Sequence, residues 1–182
     1  MLGRTRGGAG DPDQLRYIGR MFQVLVYVYE NYWRGDACPQ PEQLQRKLAA
    51  EGFDAQEIQE ALEWLGGLSL ATRNTQIVLP PARKAEPAAG GSPASMRAYS
   101  IDEQNRLGPQ CLGFIRFLET AGVLPPHMRE IVLDRAQASG ADHLGLDDLK
   151  IIILMVYWSY GEEPDALILD ELCDDGAGRL GH

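Results

Sequence analysis

The side chains that most often bind metals or act as nucleophiles are few and scattered in this sequence. The cysteines form no C-x-x-C pair, and the histidines lack the H-x-x-x-H and E-x-x-H spacings that place two ligands on one helical face. We therefore predict no metal site, no cofactor, and reduced thiols outside any disulfide framework. The residues concerned are Cys38, Cys111, Cys173, His127, His143 and His182.

The adjacent carboxylates Asp147 and Asp148 are a candidate pair for acid-base chemistry. Neighbouring positions on a helix point in different directions, and acids in a first helical turn are explained by the helix dipole. No Gly-rich segment stands between a strand and a helix at a nucleotide-binding spacing, and no G-x-S-x-G elbow is present. The sequence therefore predicts a protein that is not an enzyme.

Segments 41–51 and 55–65 have the outline of a helix-turn-helix or winged-helix-like unit. A recognition helix needs basic or polar side chains that reach phosphates and base edges. The predicted outward face of the second segment carries three carboxylates and no base, which disfavours direct nucleic-acid binding. That face consists of Gln56, Glu57, Gln59, Glu60 and Glu63.

The charge of the chain favours a basic partner. It holds 17 Lys and Arg against 26 Asp and Glu, a formal net charge of -9, which repels phosphate backbones. Near the C-terminus, acids alternate with Leu167, Ile168 and Leu172, as in a solvated last helix or in an acidic-hydrophobic docking surface. The candidate partner surface consists of Tyr157, Trp158, Glu162, Glu163, Asp165, Asp170 and Glu171.

The first half of the chain is predicted to be mainly helical. Apolar residues recur at helical spacing over 22–33, although alternating valines there would also suit a strand. Pro41 at a first helical position and Gly52 at a stop predict a helix over about 41–51.

Capping signals predict the next helix. Asp54 can cap it with Glu57 at the reciprocal position, and its buried stripe ends at Gly66 and Gly67. Short strands are predicted at 76–79 and 96–99.

The second half shows a run of shorter helices. A capping box at Ser100 and Glu103 starts the first, which Gly108 and Pro109 should interrupt. Further helices are predicted from Pro109 to Gly122, over about 126–139 and over 147–159. The run Ile151–Trp158 is apolar around the whole helix, so we predict that it is central to its lobe, or is covered by a partner or second copy.

The predicted fold class is all-α, mainly helical with at most two short strands, in two small helical lobes. Residues 80–95 include four prolines and cannot form a core, so they predict a flexible linker. No apolar run reaches the roughly 18 residues of a membrane span and no signal peptide is visible, which indicates a cytoplasmic protein. The predicted parts are a disordered N-terminal extension (1–20), an N-terminal helical lobe (21–79), a Pro/Gly/Ala-rich linker (80–97), a C-terminal helical lobe (98–176) and a tail (177–182).

Several stretches resemble the bacterial Smg family, small proteins of undefined function. The resemblance spans about residues 21–175, contains no catalytic signature, and implies that Met21 is the customary start and residues 1–20 an extension. The similar stretches are Met21–Glu30, Gly52-Phe53 with Ile58, Ala61-Leu62 and Trp64-Leu65, Met96-Arg97-Ala98-Tyr99, Leu107, Gly113-Phe114-Ile115 with Leu118-Glu119, Arg129-Glu130, and Leu146–Met155.

Two hypotheses of function follow. The first is a non-enzymatic cytosolic interaction or adaptor protein that presents acidic helical surface to a basic protein, with homo-oligomerisation as a further expectation. The alternative is a nucleic-acid-associated regulator on a helix-turn-helix-like scaffold, with contacts from Arg83, Lys84 and Arg97. Salt-dependent binding to a duplex distinguishes the two.

Overall fold

The computed structural model describes residues 12–32, 39–78, 97–162 and 164. These residues form helices and connecting turns without a strand, so the predicted all-α class is confirmed and the two strands are wrong where they are described. The helices are α1 (Pro12–Asn31), α2 (Pro41–Ala50), α3 (Ala55–Val78), α4 (Ile101–Thr120), α5 (Pro126–Ala138) and α6 (Leu146–Tyr160).

Helix α1 begins earlier than predicted. Residues 12–20, assigned from the sequence to a disordered extension, are helical from Pro12 onward, because proline suits a first helical position. The Arg20 guanidinium binds the Glu57 carboxylate at 2.9 Å. Residues 12–20 therefore belong to α1, whereas residues 1–11 lie outside the described part of the chain. Helix rather than strand is confirmed over 22–31.

Helix α3 starts as predicted and continues well beyond its predicted end. The Gln56 N–H donates to Asp54 Oδ1 at 2.9 Å, and the Asp54 N–H donates to Glu57 Oε2 at 3.3 Å. The predicted stop at Gly66 and Gly67 is wrong, because buried side chains continue the inner stripe beyond these glycines and pack on the core. The predicted strand at 76–79 fails for the same reason, since residues 76–78 belong to α3.

Helix α4 is interrupted where the sequence predicted. Gly108 has φ 66° and ψ 173°, and Pro109 has no N–H to donate to the Asn105 carbonyl. The loop before α6 supplies substitute donors: His143 Nδ1 lies 3.0 Å from Asn105 O, and the Leu144 N–H donates to the carbonyl of residue 106 at 2.8 Å. The kink in α4 is thus tied to the start of α6.

Helix α6 lies at the centre of the helical assembly, whereas the sequence predicted it at the centre of the C-terminal lobe alone. Residues 152–157 are buried, and the helix contacts α1, α3, α4 and α5. Helix α3 likewise packs on α1, α2, α5 and α6. The helices before residue 79 and after residue 96 therefore share one continuous core, and the domain boundaries predicted within the chain remain predictions.

Candidate interaction surfaces

Tyr157, predicted to face a partner, points into the protein. Its side chain is buried at 5% exposure, and its hydroxyl donates to the carbonyl of Val123 in the turn before α5. Burial raises the pKa of Tyr157, and the nearby Glu162 carboxylate raises it further. Tyr157 therefore fixes the α4–α5 turn onto α6 and offers no free surface.

Trp158, the second predicted anchor, is half-buried against α1. Its indole N–H donates to the carbonyl of Tyr32 at 3.4 Å, just beyond the end of that helix. The contact joins the first helix to the last, so Trp158 has an internal role.

The predicted acids near the C-terminus fall into two groups. Glu162 is exposed, whereas Glu163, Asp165, Asp170 and Glu171 lie outside the described residues.

Five charged side chains that the sequence did not group together form one network of ion pairs. Arg97 donates to both carboxylate oxygens of Glu103, at 2.9 and 3.1 Å, and also binds Glu130 at 2.9 Å. Arg129 binds Glu130 at 2.7 Å and Glu119 across the α4–α5 turn. We call Arg97, Glu103, Glu119, Arg129 and Glu130 the arginine–carboxylate network.

The environment of this network shifts its acid-base equilibria. Hydrogen bonds from Arg97 lower the pKa of Glu103 against the opposing effect of burial. The bond to Glu103 raises the pKa of Arg97. Burial opposes the charged form of Arg129, but its bonds to Glu130 and Glu119 raise its pKa overall. The Arg97 guanidinium also lies over the Tyr99 ring, 5.1 Å from the centroid. Arg97, Glu103 and Arg129 therefore stay charged at neutral pH, and the ion pairs of the network indicate a structural clamp.

The sequence signals for this network were indirect. Arg97, Glu119, Arg129 and Glu130 occur in the stretches that resemble the Smg family, and Glu103 was predicted only as part of a helix cap. Partners 33 positions apart, such as Arg97 and Glu130, carry no spacing that reveals their contact.

An acidic surface lies where α3 begins. Glu51 and Asp54 are exposed in the turn after α2, and Glu60 is half-buried on the first part of α3. The Gln56 amide donates to Glu60 at 3.2 Å, so this carboxylate is bound by a neutral group. No described Lys or Arg forms an ion pair with these three acids. We call Glu51, Asp54 and Glu60 the acidic end of α3.

The helix-turn-helix interpretation of α2 and α3 is not confirmed. A recognition helix exposes a full face to the groove, whereas α3 is contacted by four other helices. Its exposed face near the turn carries Gln56, Gln59 and Glu63, which lack positive charge. The geometry therefore gives no support to groove docking.

The described part of the chain contains neither a cluster of metal ligands nor a reactive cysteine thiol. No group of three or more His, Cys, Asp or Glu side chains converges there as metal ligands. Cys111 is buried, and burial, assisted by Asp148, raises the pKa of its thiol to about 11. The thiol is protonated at neutral pH and is a poor nucleophile.

These features define an all-helical protein in its described parts, built around α3 and α6, and sequence comparison identifies its family. Residues 21–182 match the family described as "Protein of unknown function (DUF494)". The chain is 56% identical over 165 residues to the protein Smg homolog of Leptothrix cholodnii, covering 89% of this chain and 100% of that protein. It is 54% identical over 163 residues to the protein Smg homolog of Methylibium petroleiphilum, with the same coverage. The chain belongs to the Smg (DUF494) family.

Two further findings concern related structures and membrane-spanning helices. No solved structure matches this chain. Within the described residues, no helix has the length and apolar character needed to cross a membrane.

Proposed function

We propose that this chain is a non-enzymatic cytosolic interaction protein whose acidic helical surface binds a basic protein. The supporting observation is that arginine and acidic side chains differ in how they are engaged within the fold. Most described arginines are bound within the fold, by carboxylates or by backbone carbonyls, whereas several acids face solvent. Among these bound arginines are Arg20, Arg97, Arg106, Arg129 and Arg135.

The acidic end of α3 is the part of that surface best suited to a partner. Its carboxylates sit in the first part of a rigid helix and in the turn before it, so little side-chain and backbone freedom is lost on binding. Opposite charge on the partner would accelerate association and select against acidic competitors. The exposed Glu162, at the other end of the chain, belongs to the same class of outward-facing acid.

The alternative, a nucleic-acid-associated regulator, loses one of its proposed contacts. Arg97 binds Glu103 through two hydrogen bonds and Glu130 through a third. A phosphate would have to displace a carboxylate to reach it. Arg83 and Lys84, the other residues of that hypothesis, lie outside the described part of the chain.

The test compares two double variants in affinity purification from native cells with quantitative mass spectrometry. Glu51→Gln/Glu60→Gln removes charge from the acidic end of α3 with little change in shape. Glu30→Gln/Asp102→Asn removes the same charge from exposed positions on α1 and α4. We expect basic proteins to be lost from the first variant and retained by the second, with binding that weakens as salt rises.

Equal retention by both variants would contradict this surface. Capture that is abolished by nuclease and shows the steep salt dependence of phosphate contacts would favour the nucleic-acid alternative.

A further inference from the structure

A single stripe of exposed residues runs along the outer side of α3. Its positions follow one another at intervals of four, three, four and three, the repeat with which two helices pack side by side. Leu70 is 63% exposed, and a Cβ placed on Gly66 would meet no atom within 4 Å. The α3 outer stripe consists of Gln59, Glu63, Gly66, Leu70 and Arg73, all exposed.

This stripe is complementary to itself. A two-fold axis beside residue 68 would place an antiparallel copy of the stripe against the first. Each residue then faces a residue of the other copy that lies equally far from position 68 on the opposite side. Leu70 of each copy falls on Gly66 of the other, where the missing side chain leaves room for it. Glu63 of each copy falls opposite Arg73 of the other, so two ion pairs flank the apolar centre.

We propose that a second copy of this chain pairs along the α3 outer stripe in this antiparallel register. The apolar centre is Leu70 against Gly66, and the Glu63–Arg73 pairs select the register over its alternatives. Pairing removes the apolar Leu70 side chain from water, which is favourable. The described exposed residues of α4, by contrast, place Ile101 and Phe117 at opposite ends of that helix.

The size of the surface predicts the strength of the dimer. The stripe extends over about 21 Å at the rise of an α-helix, which is less than a standard protein interface. A weak, concentration-dependent dimer follows. This pairing goes beyond the proposed function. The acidic end of α3 lies outside the segment 63–73 that forms the pairs, so it remains at the two outer ends of the dimer.

The experiment uses sedimentation equilibrium of the full chain from about 1 µM to about 1 mM. Glu63→Arg and Arg73→Glu each place like charges opposite one another, and each should raise the dissociation constant by about tenfold or more. An equimolar mixture of these two variants restores both ion pairs across the interface. We expect the mixture to associate as strongly as the unaltered chain.

Replacement of an exposed apolar residue by serine, inside and outside the stripe, provides a matched test and control. Leu70→Ser should weaken association by about tenfold or more, whereas Ile101→Ser, at a position that is 75% exposed, should leave it unchanged. Circular dichroism verifies that every variant keeps its helices. A chain that stays monomeric throughout, or a mixture that associates no better than its two components, would overturn the proposal. Binding of a basic protein to the acidic end is measured separately and does not depend on this result.

Discussion

Trp64 on α3 and Arg135 on α5 exchange hydrogen bonds across the crossing of their helices. The Trp64 indole N–H donates to the Arg135 carbonyl at 3.1 Å, and Arg135 Nη1 donates to the Trp64 carbonyl at 3.4 Å. The guanidinium passes so close to α3 that a Cβ on Gly67 would stand 1.9 Å from Nη1. This contact explains a glycine in the middle of a long helix, where glycine is otherwise unfavourable.

The two adjacent glycines of α3 should respond differently to alanine. Gly66→Ala meets open space and should raise the free energy of unfolding by about 0.5 to 1 kcal/mol through helix propensity. Gly67→Ala forces the Arg135 guanidinium away from the Trp64 carbonyl, so we expect no net gain. Urea denaturation at low protein concentration, followed by circular dichroism, measures both. Equal stabilisation by the two substitutions would contradict the close contact.

The ion pair between Arg20 and Glu57 should make a modest contribution to stability. The Arg20 side chain is 50% exposed, so solvent screens the pair and Arg20→Ala should lower the free energy of unfolding by at most about 1 kcal/mol. Gln23→Ala, at an exposed position on the same helix, serves as the control. The loss should shrink in 1 M salt if the effect is electrostatic, and a salt-independent loss would indicate altered helix formation instead.

Acid should weaken the fold through Glu103. Its pKa is lower in the folded chain than its ordinary value of 4.5, so the ionised form stabilises the folded state. That contribution is complete above the unfolded pKa and is lost as the pH falls through the folded pKa. We therefore expect stability to decline below about pH 5, and to decline less steeply in Arg97→Met. Asp102→Asn, an exposed neighbour, should keep the original slope in urea denaturation from pH 7 to pH 3.

The centre of α6 should be the most sensitive position in the core. Ile153 is fully buried, and Ile153→Ala should lower the free energy of unfolding by about 2 to 5 kcal/mol, because it leaves a cavity. Ile101→Ala, at an exposed position, should change it by no more than about 0.5 kcal/mol. Trp158→Ala should also destabilise, since it removes the contact with Tyr32. Thermal and chemical denaturation would decide the ranking, and a fold indifferent to Ile153→Ala would refute the central placement of α6.

Local signals in the sequence were sufficient for most helix boundaries. Asp54 with Glu57, Ser100 with Glu103, and the Gly108–Pro109 break act within a few residues of themselves, and the structure confirms each. The composition of the run 151–158 also predicted a central helix. These features depend on backbone chemistry and on hydrophobicity, both of which can be read without knowledge of the fold.

Features that depend on distant partners could not be predicted. Gly67 looked like a helix stop, but its missing side chain leaves room for the Arg135 guanidinium. Arg135 binds the carbonyl of Trp64, which lies 71 positions earlier in the chain. Tyr157 looked like a surface aromatic, but the turn at Val123 buries it. The arginine–carboxylate network was missed because its members come from α4, α5 and the segment before α4.

The shared core makes the covalent connection between α3 and α4 dispensable in principle. A peptide link raises the effective concentration of one part near the other. Helices α1 and α3 of fragment 1–79 bury faces against α5 and α6 of fragment 97–182. Produced apart, each fragment would expose those faces and aggregate, whereas co-expressed fragments would assemble into a native-like complex. The chain is thus a candidate for split-protein complementation, with reassembly reported by the return of cooperative unfolding.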